Sequence, residues 1–255
     1  MLRARASNGC SQPSAPAPNS VVLTPTSPKS HNPCAEVLVR IIQAHLGVEI
    51  FRPQVAGLFG VKIGPNQMID MRVPDDAYCA YRLKTLRDNL GIGSICEIGA
   101  GFGGLAFQAI RHGFSDYTIV DLPSINILQG FFMMAVFGGD AVAMFGEDAP
   151  GRLFNILPYW EFFNPDRKFD LVVNRDGLPE MPEERAQEYL NGISARRCVL
   201  LSINQEAQAP AGSVDANQLV VNRMMLSVPG MRLVSRYPYW IRKGYVEEIF
   251  SPSET

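Results

Sequence analysis

The sequence predicts an α/β fold: a mostly parallel sheet covered by helices on both faces, closed by an antiparallel C-terminal hairpin and preceded by a helical annex. Three observations carry this. From Ser94 onward, short apolar runs alternate with helical patterns through short links, as in parallel strands buried on both faces. The first run ends in the glycine-rich turn Gly99-Ala100-Gly101-Phe102-Gly103-Gly104 and opens a helix. The last two runs have no helix between them and read as a hairpin.

Each element has its own signal. Residues 1–33 hold many prolines and no Asp or Glu, so a disordered tail is expected. Arg3 and Arg5 suit an organelle transit peptide, but the prolines break the amphipathic helix it would need. Residues 34–91 form the annex. Val37, Leu38, Ile41, Ile42 and Leu46 have helical spacing, ended by Gly47. Residues 48–74 read as irregular. Asp75 or Asp76 then caps a helix to Leu90, closed by Gly91.

Residues 92–255 are expected to form the main domain. Ser94–Ile98 is a strand, Gly104–His112 a helix, Tyr117–Val120 a strand ended by Asp121, and Ser124–Phe137 a helix. Ala141–Phe145 and Leu153–Leu157 compete for the third strand. With the first, Glu147 or Asp148 would lie near a bound base; with the second, Leu157 and Pro158 would. Strand Phe169–Val173, helix Pro182–Ile193, strand Arg197–Ile203 and helix Gln218–Leu226 follow, then the hairpin Met231–Tyr237 and Tyr245–Phe250.

Composition narrows the function classes. The chain has 255 residues, is 47% hydrophobic and carries a formal net charge of -2, which argues for a sizeable core and against a general nucleic-acid binder. The five cysteines form no C-x-x-C pair, so a reducing, cytoplasmic setting without a cysteine zinc site is expected. No apolar run reaches the roughly 20 residues of a membrane span. An oligomer is left open.

The glycine turn fits two patterns. Gly99, Gly101 and Gly104 satisfy the dinucleotide form G-x-G-x-x-G. Gly99, Gly101 and Gly103, with Glu97 two residues ahead, resemble motif I of the class I S-adenosylmethionine-dependent methyltransferases. Asp121 suits a ribose diol in either case. The residues after Glu97 read as one continuous sheet, whereas a nicotinamide enzyme is expected to add a substrate domain to its dinucleotide half. An assembly protein that has lost catalysis has no physical reason to keep both the loop and Asp121.

Glu97-Ile-Gly-Ala-Gly-Phe-Gly-Gly-Leu-Ala, Val120-Asp-Leu-Pro, Phe169-Asp-Leu-Val-Val-Asn174, Pro179-Glu180-Met181-Pro182, Leu201-Ser-Ile-Asn204 and Trp240 to Glu247 together resemble the sugar O-methyltransferase family, over roughly residues 75–250. The resemblance implies a Rossmann-like class I methyltransferase sheet and S-adenosyl-L-methionine as cofactor. It implies a cofactor site of Glu97, Gly99, Ala100, Gly101, Gly103, Asp121, Leu122 and Asn174, with an acceptor contact or a loop cap as the other readings of Asn174, and a small-molecule, sugar-bearing acceptor. A non-sugar oxygen or nitrogen acceptor is the alternative.

A sugar hydroxyl is a poor nucleophile until a base takes its proton. His31 lies in the tail, His45 on the first helix and His112 at the end of the helix after the glycines, so all three are expected to be structural. Carboxylates remain. The order expected for the base is Asp176, then Glu180, then Glu206, each weighed against a solvated loop carboxylate or a helix cap. Tyr78, Arg82 and Trp240 are candidates for the acceptor side, with core packing as the plainer reading for a tyrosine. The aromatic group Tyr159, Trp160, Phe162 and Phe163 reads as core before it reads as a sugar platform. No metal site is predicted.

Overall fold

A computed structural model describes residues 33–55, 60–64, 67–147, 150–206 and 219–253. The predicted tail lies outside these residues, except for Pro33, and so do His31 and Asp148.

The annex begins with α1 (Pro33–Leu46). A small antiparallel sheet follows, ordered β1-β3-β2, from β1 (Arg52–Pro53), β2 (Val61–Gly64) and β3 (Gln67–Ile69). This corrects the irregular reading of 48–74: strands of two to four residues are too short for alternation to register. Helix α2 (Val73–Leu90) starts earlier than expected and places Asp75 and Asp76 in its first turn, buried and ion-paired. Arg72 is the capping position, so neither aspartate is the N-cap.

The main sheet has eight strands in the order β10-β11-β9-β8-β4-β5-β7-β6. Strand β4 (Ile95–Ile98) sits at its centre, with α3 (Gly104–Arg111), β5 (Tyr117–Asp121) and α4 (Pro123–Phe137) after it. The two rival third strands both form, as β6 (Val142–Met144) and β7 (Phe154–Pro158); β7 pairs with β5 and β6 takes the edge. The chain then crosses to the other side of β4 for β8 (Leu171–Arg175), α5 (Glu183–Arg196) and β9 (Val199–Gln205). Helix α6 (Val221–Leu226) leads to β10 (Met231–Pro238) and β11 (Tyr245–Pro252), which pair antiparallel with each other and, through β11, with β9. The mostly parallel sheet and antiparallel hairpin are as the sequence predicted.

Both faces are covered. Alternation along β4 sends Ile95 into the core under α2, α3 and α4, and Cys96 and Ile98 into the core under α5 and α6. Glu97 therefore points to the α2–α3 side. The strand order reverses at β4, and a crevice opens there at the carboxyl ends of the strands, where ligands bind in open α/β sheets. Among the described residues, no helix is long and apolar enough to cross a membrane.

Candidate active site

Strand β4 delivers the chain into the glycine loop at the crevice. Gly99, Gly101 and Gly103 have φ angles of 73°, 55° and 81°, in the left-handed region that favours glycine. Their surroundings differ. A Cβ on Gly101 would meet nothing within 4 Å, and one on Gly99 only the Gly177 Cα at 3.7 Å, so both leave open space over the loop. A Cβ on Gly103 would sit 2.6 Å from the Met133 methyl, and one on Gly104 2.2 Å from an Asp76 carboxylate oxygen. The third glycine of either sequence pattern thus makes room for protein.

Two cavities meet at Gly99, Gly101, Arg175 and Asp176. The larger, about 590 Å³, is within the usual size range of ligand sites and is mostly apolar. Leu122, Ile125, Tyr159 and Met181 line it, with Asp121, Asp176 and Glu180 as its carboxylates. Asp121 accepts hydrogen bonds from its neighbour's amide, Leu122 N, at 2.8 Å and from Gln129 Nε2 at 2.8 Å. Burial raises its pKa; these bonds oppose the rise. Gln129 Nε2 also donates to the Gly101 carbonyl at 2.9 Å, and Asn126 Nδ2 donates to Gln129 Oε1 at 2.9 Å. The fully buried Gln129 therefore fixes loop and carboxylate together. Sequence reading missed it; two amides spaced three apart within an uncharged helix were the available signal.

The smaller cavity, about 240 Å³, is charged. Arg52 donates to Asp76 at 2.6 Å and approaches Asp70 at 3.3 Å. Arg175 donates to the other Asp76 oxygen at 2.5 Å. Its second amino nitrogen lies 3.2 Å from Asp75, an ion pair without the angle of a hydrogen bond. The Tyr239 hydroxyl donates to Asp75. Arg72 donates to Asp176 at 3.1 Å, and Arg242 donates to the same oxygen. Four arginines and four aspartates from the annex, the end of β8 and the β10–β11 loop thus interlock beside the glycines. Sequence reading missed Arg52, Arg72 and Asp76, and gave Arg175 no role of its own.

The predicted residues separate in space. Glu97 is buried and accepts from the Tyr117 hydroxyl at 2.9 Å. Burial raises its pKa to about 7, against the pull of Arg175 and the Tyr117 bond. Asn174 and Arg175 end β8, where a loop was expected. Asn174 is fully buried: its Nδ2 donates to the Ile98 carbonyl at 2.9 Å and its Oδ1 accepts from Leu178 N at 3.2 Å, so it ties β8 to the glycine loop and lines neither cavity. Asp176 lines both, with a φ of 69° that aspartate tolerates better than most residues. Burial pushes its pKa up, yet the bonds from Tyr245, Arg242 and Arg72 outweigh this and hold it below the ordinary range. Glu180 lines the larger cavity and is exposed. Glu206 is held by Arg236 and borders a separate pocket with Asn222 and Arg223.

Tyr78 and Arg82 both donate to Glu247 of β11, at 2.6 and 2.7 Å, and line neither cavity. Trp240 is exposed and stands edge-on to Tyr78 at 5.6 Å. In the aromatic group, Phe162 is fully buried core and Tyr159 faces the larger cavity. Glu147 caps β6 by accepting from Met144 N at 2.9 Å, away from both cavities. His112 is buried at the end of α3; desolvation lowers its pKa.

No family model and no curated protein matches this sequence. Solved structures do match its fold. The mitomycin 7-O-methyltransferase MmcR aligns with a TM-score of 0.51 at 16% identity, over 71% of this chain and 55% of that one, so this chain spans little more than half its length. The glycopeptide N-methyltransferase MtfA, solved with S-adenosyl-L-methionine, aligns with a TM-score of 0.51 at 16% identity, over 70% of this chain and 87% of that one. The CcbJ methyltransferase from Streptomyces caelestis gives 0.52 at 12% identity, over 71% and 90%. The chain has the Rossmann-like fold of class I methyltransferases.

Proposed function

We propose that the chain binds S-adenosyl-L-methionine across the two cavities and transfers its methyl group to a hydroxyl of a small, sugar-bearing acceptor. One observation carries the cofactor reading. The crevice divides into a mostly apolar cavity with one diol-binding carboxylate and a charged cavity with arginines and aspartates. A nucleoside joined to a zwitterionic amino acid has the same division. The open space above Gly99 and Gly101 is the cradle such a ligand needs. A dinucleotide fits less well: its diphosphate needs the start of α3, and the Asp76 carboxylate already stands against Gly104 there. The complexed MtfA structure and the sequence resemblance point the same way.

In this reading Asp121 takes the ribose hydroxyls, with Leu122, Ile125 and Met181 around the base. Arg175 and Asp76 bracket the amino-acid end. Bound cofactor supplies a methyl group on a sulfonium, open to in-line attack. The chain's own work is to position the acceptor and accept its proton. Glu180 is the better base. It faces the larger cavity, and the described residues give it no arginine or lysine partner within ion-pair range. Asp176 spends its carboxylate on two arginines and a tyrosine, so it acts as a clamp between the annex and the hairpin. Residues 92–255 are the cofactor-binding unit in this reading, and 34–91 supply one wall of the charged cavity.

The sugar part of the proposal rests on the sequence resemblance and on Tyr159, which offers a ring to the cavity. Calorimetric titration with S-adenosylhomocysteine, with NADH in parallel, tests the cofactor. Micromolar binding of the first alone is expected; binding of NADH alone overturns the reading. Transfer of a labelled methyl group to a panel of sugar and non-sugar acceptors then tests the acceptor class.

A further inference from the structure

Helix α1 turns its more apolar side away from the protein. Inward it offers Val39, packed with Ile50 and Ala77, and the half-buried Leu46. Outward it offers Val37, Leu38, Ile41 and Ile42, which are 56%, 60%, 60% and 45% exposed. At 100° per residue these four form a single stripe with Ala44 and His45, and the stripe contains no Lys, Arg, Asp or Glu. The charges nearest to it, Glu36 and Arg40, pair with each other along one flank. Four half-exposed aliphatic side chains leave a patch on the order of 400 Å², a size at which exposed apolar surface marks an interaction site.

We infer that this stripe is a homodimer interface in which α1 packs antiparallel against α1 of a second copy across a two-fold axis near Ile41. Three features favour a second copy. The stripe is uncharged, so it asks for a partner equally free of charge, and it meets that requirement itself. A two-fold contact uses one patch twice, so the pair of stripes buries about half of the ~800 Å² per partner that a stable interface needs, as its apolar core. Antiparallel packing also sets each helix's negative end beside the other's positive end. At ~1.5 Å per residue the 14-residue helix is about 21 Å long, enough for three turns of side chains to interdigitate. The stripe lies on the annex, apart from both cavities, so the inference stands whatever the cofactor is.

The test uses the full chain and light scattering behind size exclusion at about 50 μM. A mass of twice 28.1 kDa is expected. Leu38→Glu and Ile41→Glu should each weaken the dimer at least tenfold and shift the mass to that of one chain, with the far-ultraviolet circular dichroism unchanged. Arg40→Ala, off the stripe, should remain a dimer. Ile41→Cys should cross-link to itself on oxidation while the wild-type chain, with its native cysteines, does not. A monomeric wild type overturns the inference, and so does a dimer that survives both glutamate variants. If a glutamate variant unfolds, the cross-link decides: no bond at position 41 in a dimeric chain sinks the two-fold geometry.

Discussion

The two cavities that meet at the glycine loop are built by different means. The larger is made mainly of short pieces of chain: the ends of β4 and β5 and the turn after β8 each bring three near-neighbours, and Tyr159 follows β7. The smaller is held together by ion pairs between residues far apart in the chain, Arg52 with Asp76, Arg175 with Asp76, and Arg242 with Asp176. The first is set by local backbone geometry, so it tolerates polar changes in its wall. The second works only as a set, because each buried charge is stable only beside its partner.

The largest expected effect breaks that set. Asp76→Ala leaves Arg52 and Arg175 buried with their shared carboxylate gone, and the unfolding free energy should fall by about 3–5 kcal/mol in urea titration. Asp121→Asn, in the wall of the larger cavity, should weaken S-adenosylhomocysteine binding and change stability by less than about 1 kcal/mol. Equal loss of stability in the two variants would erase the distinction between the cavities.

The next effect lies in catalysis. With an acceptor in hand, Glu180→Gln should lower kcat by about 100-fold or more while the affinity for S-adenosylhomocysteine holds. Asp176→Asn should act differently, since its partners are Arg72, in the wall of the charged cavity, and Arg242 of the β10–β11 loop, which it ties together. It should raise KM for the acceptor and leave the acidic limb of the pH profile in place. A lost acidic limb in Asp176→Asn would return the role of base to Asp176.

This contrast also explains what the sequence disclosed. The larger cavity was legible because strand, glycine turn, helix and Asp121 follow one another in the chain, and a strand-ending carboxylate needs no distant information. Both rival third strands were visible; the sheet simply uses both, which no local pattern can decide. The charged cavity was opaque. Asp75 and Asp76 sit where a helix cap belongs, and only the fold reveals that they are buried against Arg175, some hundred positions later. Tyr78 and Arg82 were singled out for a cleft, but Glu247 of the closing hairpin claims them. Long-range ion pairs leave no periodicity, and the two- to four-residue annex strands leave little more.

The glycines sharpen the comparison at single-residue cost. Gly104→Ala pushes a methyl group against Asp76 and Arg52 and should destabilise the fold by about 1–3 kcal/mol through the charged cluster. Gly101→Ala meets no protein atom within 4 Å; its φ of 55° costs about 1 kcal/mol. Yet its methyl group would stand in the space left for a ligand, so S-adenosylhomocysteine binding should weaken at least tenfold. Thermal melts beside calorimetry on the two variants separate a glycine kept for the protein from one kept for the ligand.

The smallest expected effect is a slope with pH, and it ties the two cavities together. Glu97 lies beneath the loop they share, with a pKa raised by burial to about 7 from an ordinary 4.5. The folded chain therefore binds an extra proton between those values, so this group's contribution to stability declines as pH rises from about 4.5 to about 7. A ligand ammonium in the charged cavity would favour the ionised form. Below pH 7 that ligand must expel the proton, so S-adenosylhomocysteine affinity should fall by up to tenfold per unit as pH drops from 7 toward 5.5, and level off above 7. Glu97→Gln carries no such proton and should bind with a flatter profile. If the slope persists in Glu97→Gln, the ammonium is not felt at Glu97, and the charged cavity serves some other end of the ligand.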